Sequence, residues 1–488
     1  MTRSIGRRTF LALLAMAGSA AAAPRLPAFG GKKVVVLGAG LAGLSAAWNL
    51  QKNGYDVLVL EAQDISGGRV KTIRKPFKNG GYAEAGALRI YDNHHWTRKY
   101  IKLMGLESKL GAYDDDQGAH LWYLQGKRFV TPSGDWPLDG LSPQEKKNPY
   151  AMFDAYWGPG FKAVGDPTRP DYPDARAKAL DAYTMEEFLK NNGASDAWLQ
   201  VLLATEGNLS RMSALAVTAL EGAPNDGAHT KTFGLIGGND QLPKALADQL
   251  AGSVKYNSAV CKLAHTADGV TITVRDAAGQ HEIKADHCVC TLPFPLLRRI
   301  EITPAFSTLK MDAIQQYDLF SLARVSLQTK TRFWRNDPLG TLGGLNMIGT
   351  DTDADRIWNT SVLQPDPQRG MLHAYMADRH AVDFAGIPAQ DRLAHCLRTV
   401  SQFLPQLPAE VEASYVKVWS EDPWQLGAIA HAKPGQFHWI WPAARKPEGR
   451  VHFGGEHTSV WIGYMNGALE SGERCAQEII SGAVRARS

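Results

Sequence analysis

Three glycines with fixed spacing follow the first apolar run of the chain. Residues 34–37 form a β-branched run typical of a buried strand, and Gly38, Gly40 and Gly43 then make a G-x-G-x-x-G pattern. The first glycine permits a tight turn, the second lets the backbone approach a pyrophosphate, and the third lets a helix pack closely on the strand. The N-terminus of that helix suits a phosphate charge. We therefore predict dinucleotide contacts at Gly38, Ala39, Gly40, Leu41, Ala42 and Gly43.

A carboxylate ends the next predicted strand. Residues 56–60 lead into Glu61, which can accept hydrogen bonds from a ribose diol. The run Gly67-Gly68-Arg69 follows, in which the glycine pair allows close approach of the backbone and the guanidinium can pair with phosphate oxygens. This order of elements predicts a Rossmann-like βαβ unit: a strand, the glycines, a helix, a second strand and an acidic residue.

Residues 34–69 resemble the FAD-binding opening of the flavin amine oxidase family, and two later stretches are similar to its other FAD segments. In the first of these, a backbone group near Val260 would meet the adenine. In the last, residues 451–481, Glu456 would bond the ribityl chain, and the backbone around Met465 would lie under the pyrimidine edge of the flavin, at a helix N-terminus. By the same resemblance Ala62, Gly68, Arg69, Gly86, Ala87, Leu88 and Gly455 would also contact the cofactor.

The cysteines of the chain bear on how the cofactor is held. Some members of the family attach FAD to a cysteine near the position of Gly427 and Ala428, and this sequence has none there, so the resemblance implies noncovalent FAD. The five cysteines are odd in number, and their spacing resembles no disulfide scaffold. No histidines group with them at the spacing of metal ligands, so we predict no metal site.

Arg89 is the residue that best distinguishes the possible substrates. Monoamine and polyamine oxidases usually lack an arginine here, whereas the L-amino-acid oxidases and bacterial tryptophan monooxygenases that this sequence resembles bind the substrate carboxylate with it. A planar guanidinium can hold a carboxylate at two points and direct the Cα–H towards flavin N5. By resemblance, Tyr375 would reach the same carboxylate, Tyr464 would face the substrate across the flavin, and Trp461 would line the same wall. The alternatives are an internal anion for Arg89 and core packing for the three aromatic residues.

One position departs from the family pattern. Many relatives carry a lysine that holds a water near flavin N5, upstream of a Phe-Trp pair, and Arg324 stands at that position here. Because arginine keeps its proton, the role of Arg324 in the reaction is open. The histidine used as a base by some relatives has no counterpart; His229 is out of register, and we interpret it as a surface or hinge residue. Trp419 follows the family pattern, whereas Trp424 is either a cavity residue or a packing one.

Composition and the first residues bear on location. The chain has 488 residues, 44% hydrophobic and 21% charged, with a net charge of +4 and no basic run, so nothing in its charge argues for nucleic acid as a partner. The sequence contains no apolar stretch long enough to predict an integral membrane segment. Residues 1–23 carry Arg7-Arg8 ahead of an apolar, Ala-rich stretch and resemble a twin-arginine export signal, which predicts a periplasmic protein.

The predicted fold is α/β, with a Rossmann-like FAD-binding domain interlocked with an α+β substrate domain and a helical insertion. The FAD-binding domain would comprise residues 31–110, 228–300 and 440–484, and the substrate domain residues 111–227 and 301–439. The insertion would span about 132–222, and its part rich in Pro and Gly, 132–174, is predicted to be an irregular lid or partner surface. Locally, we predict a hairpin that turns at Gln125-Gly126 and a helix that starts with a capping box at Thr184.

Together these features predict an exported FAD-dependent L-amino-acid oxidase that yields a 2-keto acid, ammonia and hydrogen peroxide by hydride transfer to flavin N5. One alternative is a primary or secondary amine oxidase, or an amine dehydrogenase, of the same family. Another is a non-catalytic flavoprotein subunit that binds a partner through residues 132–174. The expected partners are a small amino acid or amine, dioxygen or another electron acceptor, and a second copy in a homodimer. The sequence leaves open which side chain the substrate carries.

Overall fold

A five-stranded parallel sheet carries the predicted dinucleotide site. The computed structural model describes residues 32–113, 120–132, 134–166, 169, 172–206, 211–222, 231–250, 252–337, 339 and 345–485, so the predicted leader and His229 lie outside it. In spatial order the strands of the parallel sheet are Val254–Lys255, Asp56–Leu60, Lys33–Leu37, His287–Cys290 and Val451–Phe453. Residues 34–37, 57–60 and 288–290 of the central strands are apolar because helices and a second sheet cover both faces.

Two helices pack closely beside this sheet. Helix Leu41–Lys52 follows the first strand, and the C-terminal helix Met465–Arg485 lies against it. A Cβ on Gly472 would come within 2.1 Å of the Ala42 carbonyl oxygen, so the glycine permits this approach. Similarly, a Cβ on Gly43 would lie 2.0 Å from the carbonyl oxygen of Gly38, which gives the third glycine of the fingerprint the packing role predicted for it.

A four-stranded sheet covers one side of the parallel sheet. Its strands are, in order, Gly279–Ala285, Val270–Asp276, Ala259–His265 and Glu301–Thr303. The chain changes sheets between Ala285 and His287. Asp286 lies at the change: its backbone N–H bonds the Lys33 carbonyl, and its carboxylate accepts from Lys33 N at 2.6 Å. These bonds start the parallel pairing of the following strand with Lys33–Leu37.

A seven-stranded sheet forms the second large layer. Its strands are, in order, Val411–Val418, Leu322–Thr329, Gly370–Ala377, Arg356–Asn359, Met347–Thr350, His120–Leu124 and Lys127–Val130. All neighbours are antiparallel except Met347–Thr350 with His120–Leu124. The predicted hairpin at Gln125-Gly126 is confirmed, and both turn residues have positive φ, as a tight hairpin turn requires.

The remaining elements connect these layers. Small sheets pair Ile90–Tyr91, Thr232–Leu235 and Leu110–Tyr113, then Asp318–Phe320 with Ile429–His431, and Thr72–Ile73 with Ala83–Glu84. The other α-helices are His95–Leu103, Gln241–Gln249, Phe294–Leu297, Thr308–Gln316, Asp378–Gly386, Arg392–Ser401, Leu407–Glu410 and Phe437–Arg445. None of the described helices is both long and apolar enough to cross a membrane.

The insertion contains more regular structure than its composition suggested. Its α-helices are Pro143–Lys147, Phe153–Tyr156, Gly158–Val164, Met185–Asn191, Asp196–Glu206 and Ala214–Gly222. Residues 132–174 were predicted to be irregular, and this prediction is wrong where three short helices form. The first begins with a capping box between Ser142 and Glu145 and has Pro143 at its first position, so proline here starts a helix. The capping box predicted at Thr184 is confirmed.

Candidate active site

A cavity of about 1290 Å³ lies between the two large sheets. On one side it is lined by residues that follow strands of the parallel sheet, among them Gly38, Glu61, Thr291 and Gly455. The other side is the seven-stranded sheet, which contributes Arg324, Met347, Arg356, Trp358 and Tyr375. The carboxyl edge of a parallel sheet is where α/β proteins bind nucleotides, so the cavity joins a cofactor region to a second region built on the other sheet.

Two glycine segments form one end of the cavity. Gly40 caps the helix Leu41–Lys52, whose first turn has neither a side-chain cap nor an acidic residue. Gly67 lies beside it, donates its N–H to the Ala39 carbonyl at 2.9 Å and pairs with Gly40 in a short bridge. A Cβ on Gly40 would meet nothing within 4 Å, and one on Gly68 would approach the Gly40 Cα at 3.7 Å. The uncapped N–H groups and the lack of side chains make a cradle that fits a diphosphate.

Glu61 lies at the end of its strand, as predicted, and is buried at the cavity wall. One carboxylate oxygen accepts from Ala39 N at 2.8 Å and the other from Gln63 N at 2.9 Å. Burial raises the pKa of this carboxyl, and the backbone donors act against that rise. Each oxygen keeps a further lone pair, so Glu61 can accept hydrogen bonds from two ribose hydroxyls.

Arg69 and Glu456 form an ion pair between two distant parts of the chain. Arg69 Nη1 lies 2.7 Å from one oxygen of Glu456 and 2.6 Å from the Ala428 carbonyl oxygen. The other oxygen of Glu456 accepts from Gly463 N at 2.8 Å. The sequence suggested a phosphate contact for Arg69 and a ribityl contact for Glu456. In the structure the two side chains bond each other while both still line the cavity.

Most of the predicted cofactor residues lie on the cavity wall. They are Gly38, Gly40, Leu41, Ala42, Glu61, Ala62, Gly68, Arg69, Gly86, Ala87, Leu88, Val260, Gly455, Glu456 and Met465. Ala39 and Gly43 lie behind the wall, one as a donor to Glu61 and the other against Gly38. Of the five cysteines, Cys261 alone lines the cavity, and the other four are buried elsewhere.

Arg324, Tyr375 and Arg356 form a row across three neighbouring strands of the seven-stranded sheet. Arg324 is in register with Tyr375, and Tyr375 with Arg356, so all three side chains leave the sheet on the cavity side. The guanidinium carbons lie 5.3 Å and 4.6 Å from the centre of the Tyr375 ring. The sequence pointed to Arg324 and Tyr375 but missed Arg356, because the register that sets Arg356 opposite Tyr375 is not visible in the chain itself.

Arg89 reaches the same region from the segment that follows Gly86, Ala87 and Leu88. Its guanidinium carbon lies 3.7 Å from the centre of the Trp358 ring, over the indole face. Trp358 stands two residues after Arg356 and therefore on the same face of its strand. Sequence reasoning also missed Trp358, and the alternation of Arg356 and Trp358 was the available signal. The stacking fixes the plane of a guanidinium whose edge can meet a carboxylate.

Arg324 anchors the backbone before Arg89. It is 5% exposed, and its Nη1 donates to the carbonyl oxygens of Glu84 and Gly86, both at 2.6 Å. Burial raises the pKa of Glu84 to about 8. Arg324, whose role the sequence left open, therefore holds the backbone that leads to Arg89.

Tyr464 and Trp461 have different places. Tyr464 lines the cavity beside Met465 and meets the rings of Tyr91 and His94 edge to face. Trp461, by contrast, is absent from the cavity wall. It is buried against His94 and His95, with ring centres 5.4 Å and 5.6 Å away, which favours the packing alternative for this residue.

Trp419 and Trp424 both line the cavity. Trp419 is fully buried and donates its indole N–H to the Ala85 carbonyl at 2.9 Å, next to the segment that Arg324 holds. Trp424 is 37% exposed and lies at the solvent side. No group of three or more potential metal ligands occurs among the residues that the structure describes.

Comparison with known families and sequences gives a consistent result. The profile of the family described as flavin containing amine oxidoreductase matches residues 41–480. The chain is similar to the flavin-dependent L-tryptophan oxidase RebO of Lentzea aerocolonigenes, with 29% identity over 93% of this chain and 99% of that protein. It is also similar to the putative L-amino-acid oxidase YobN of Bacillus subtilis (28% identity, 92% and 94% covered) and to an L-amino-acid oxidase of Vipera ammodytes ammodytes (29%, 92% and 92%).

Solved structures with a similar fold include a triple mutant of a putrescine oxidase and the cyclohexylamine oxidase of Brevibacterium oxydans IH-35A. The first has a TM-score of 0.80 and 23% identity, with 94% of this chain and 99% of that chain covered. The second has a TM-score of 0.77 and 23% identity, with 93% and 99% covered. At this level of identity the likeness shows a shared fold, which confirms the predicted α/β class with a Rossmann-like FAD unit.

Proposed function

This chain belongs to the flavin containing amine oxidoreductases, and we propose that within this family it oxidises L-amino acids to 2-keto acids with release of ammonia. It is an enzyme, and its cofactor is FAD. The observation that carries the proposal is the position of Arg89, stacked on Trp358 at the cavity wall near Tyr375. A simple amine has no group for this arginine to bind, whereas an amino acid presents a carboxylate.

FAD fits the cofactor end of the cavity. The cradle of Gly40 and Gly68 would hold its diphosphate, and Glu61 would accept hydrogen bonds from its ribose. The backbone at the start of helix Met465–Arg485 would face the flavin end, where a helix N-terminus favours negative charge. When bound, FAD accepts the hydride that leaves the substrate Cα.

The residues of the other sheet would orient the substrate. Arg89 binds the carboxylate at two points, and the Trp358 face keeps the guanidinium plane in place. The Tyr375 hydroxyl gives a second donor to the same carboxylate, and Tyr464 bounds the substrate from the opposite wall. Orientation of this kind converts binding energy into a reactive geometry.

The charge of the site also favours the reactive form of the substrate. An amino acid must present a neutral amine before a hydride can leave Cα. The guanidinium groups of Arg89 and Arg324 line this region and lower the pKa of a nearby ammonium by repulsion. The imino acid that leaves the site is then hydrolysed by water to the 2-keto acid and ammonia.

The relatives named L-amino-acid oxidase and L-tryptophan oxidase support this substrate class. The test is anaerobic bleaching of the flavin by common L-amino acids and by their decarboxylated amines. We expect reduction by at least one L-amino acid and much slower reduction by its amine. Preference for the amine would favour the amine oxidase alternative, and bound FAD that no substrate reduces would favour a non-catalytic subunit. Dioxygen as the acceptor, a homodimer and periplasmic location through residues 1–23 belong to the proposal.

A further inference from the structure

Two guanidinium groups besides that of Arg89 line the cavity region around Tyr375. Arg324, Arg356 and Arg89 all line it, and none of the other residues that this sheet gives to the wall is acidic. His120, on the adjoining strand, does not add to this charge because burial and then Arg89 lower its pKa. Glu84, the carboxyl close to Arg324, does not offset it because burial raises its pKa to about 8.

Arg356 keeps hydrogen-bonding capacity that the fold does not use. Its Nη1 donates to the Thr205 carbonyl, whereas its buried Nε has no hydrogen-bond partner among the described residues. It forms no ion pair with a described residue. A cation in this state costs free energy unless a ligand completes its hydrogen bonds, since a buried charge is normally paired.

Arg356 lies close to Arg89, the residue already assigned to the α-carboxylate. Arg89 and Arg356 lie on the same indole, 3.7 Å and 5.1 Å from its ring centre. The two guanidinium carbons are therefore no farther apart than those distances combined. His120 and Asn346 line the same part of the cavity and add polar groups there. A short ligand with an anionic group at each end can meet both arginines.

We infer that the substrate is an acidic L-amino acid, whose side-chain carboxylate binds Arg356 while its α-carboxylate binds Arg89. The inference rests on the proposed oxidation of L-amino acids. It adds a specificity residue that touches the far end of the substrate. The amide analogue of the same substrate, which has nearly the same shape and no charge, should bind less well because it leaves Arg356 without an anion.

The test compares L-glutamate with L-glutamine, and L-aspartate with L-asparagine, in anaerobic stopped-flow reduction of the holoenzyme. Each acid should be preferred over its amide by about 10- to 100-fold in reduction rate constant over Kd. Arg356→Met should remove that preference and change reduction by L-glutamine only a few-fold. Arg356→Lys should restore part of it, because an ammonium keeps the charge without the planar fork.

The affinity for a second anionic group can also be measured without any oxidation of the ligand. Glutarate and pentanoate are not oxidised, and each can be titrated against the flavin absorption spectrum. Glutarate should bind the parent about 10-fold or more tightly than pentanoate, and Arg356→Met should abolish the difference. Arg379→Gln is the matched control, because Arg379 is exposed and pairs only with Asp383 among the described residues. This variant should bind glutarate and pentanoate with the affinities of the parent.

The outcomes separate the inference from the proposed function. If Arg356→Met slows all L-amino acids equally, Arg356 serves the α-carboxylate and the inference fails while the function stands. If the parent prefers L-leucine or L-tryptophan to both acidic amino acids, the inference is also wrong. If only amines reduce the flavin, the proposed function itself fails. FAD content and melting temperature of each variant show whether it has folded.

Discussion

Arg324 donates a hydrogen bond of 2.6 Å to the carbonyl of Gly86 and so ties the seven-stranded sheet to the segment that carries Arg89. The same Nη1 also bonds the Glu84 carbonyl, and Glu84 and Gly86 lie just before the predicted carboxylate ligand. The cation that departs from the family pattern therefore positions another arginine through the backbone.

Arg324→Met should lower the melting temperature and slow flavin reduction about 10-fold or more, because the buried Glu84 carbonyl and the part-buried Gly86 carbonyl lose this donor. Arg324→Lys should keep most of the melting temperature and most of the reduction rate, since an ammonium can donate to the Glu84 and Gly86 carbonyl oxygens. Arg332→Met is the control: Arg332 bonds the carbonyls of Arg369 and Ser361 away from the cavity, so it should cost stability without a comparable loss of rate. Equal loss of rate in both Met variants would contradict the positioning role. The measurements are thermal unfolding and stopped-flow reduction without oxygen.

Arg89→Ala should lower the ratio of the flavin-reduction rate constant to Kd about 100-fold or more for the best L-amino acid, because a charge-assisted two-point contact is lost. The decarboxylated amine should be a poor substrate of the parent and should not slow further. Arg89→Lys should recover only part of the activity. Reduction of the Ala variant as fast as the parent, with FAD still bound, would exclude the carboxylate role.

Glu61→Ala should weaken retention of FAD, because the hydrogen bonds of a buried carboxylate to the ribose are worth about 1.5–3 kcal/mol. The fraction of flavin left after gel filtration measures the effect, with Glu186→Ala, an exposed carboxylate, as the control. Acid precipitation of the parent should release the flavin into the supernatant, as expected of noncovalent FAD. Flavin that stays in the pellet would indicate a covalent bond.

Because of Glu84, the free energy of unfolding should decrease as the pH rises from about 4.5 to about 8. Burial raises its pKa to about 8, whereas the unfolded chain ionises this group near 4.5. Between these values the folded chain holds the extra proton, so the free energy of unfolding decreases with rising pH. Below this pH range the Glu84 carboxyl is protonated in both the folded and the unfolded chain, and above it the carboxyl is ionised in both.

Glu84→Gln should flatten that decrease, because the amide is neutral and can still bond Asn239 N and the Thr72 hydroxyl. Thermal unfolding from pH 5 to pH 9 checks the slope, with Glu186→Gln as the exposed control. The same pH slope in the Glu84 variant and the parent would show that Glu84 is not the group responsible.

Replacement of Arg7 and Arg8 by lysine should leave uncleaved precursor in the cytoplasm, since the paired arginines are the proposed export signal. Cell fractionation with an antibody to the protein measures the distribution, and the parent should be found in the periplasm without residues up to about 23. Normal export of the double variant would favour an ordinary secretory leader.

The cofactor end of the site was predictable because its signals are local. Gly38, Gly40, Gly43 and Glu61 lie within one βαβ unit, and each has a backbone or packing reason that spacing alone reveals. The substrate end was predictable only in part. Arg356 becomes a neighbour of Tyr375 only through the register of two consecutive strands, and Arg89 reaches the same sheet from a much earlier segment of the chain.

The structure differs from the expectation in two further places, for different reasons. Trp461 was placed on the substrate wall from its position near Tyr464, but its direction depends on packing against His94 and His95 from another segment. The short helices of residues 132–174 were missed because proline and glycine were read as breakers, whereas Pro143 occupies the first position of a helix.

The parallel sheet also determines when the enzyme can become a flavoprotein during synthesis. Its edge strand Val451–Phe453 pairs with His287–Cys290 and comes from the last part of the chain, as do Glu456 and Met465. A ribosome-bound chain that ends before residue 451 exposes an unpaired apolar edge and lacks part of the flavin wall. The cavity wall for FAD is therefore complete only after residues 451–465 have been synthesised and His287–Cys290 has gained its edge partner.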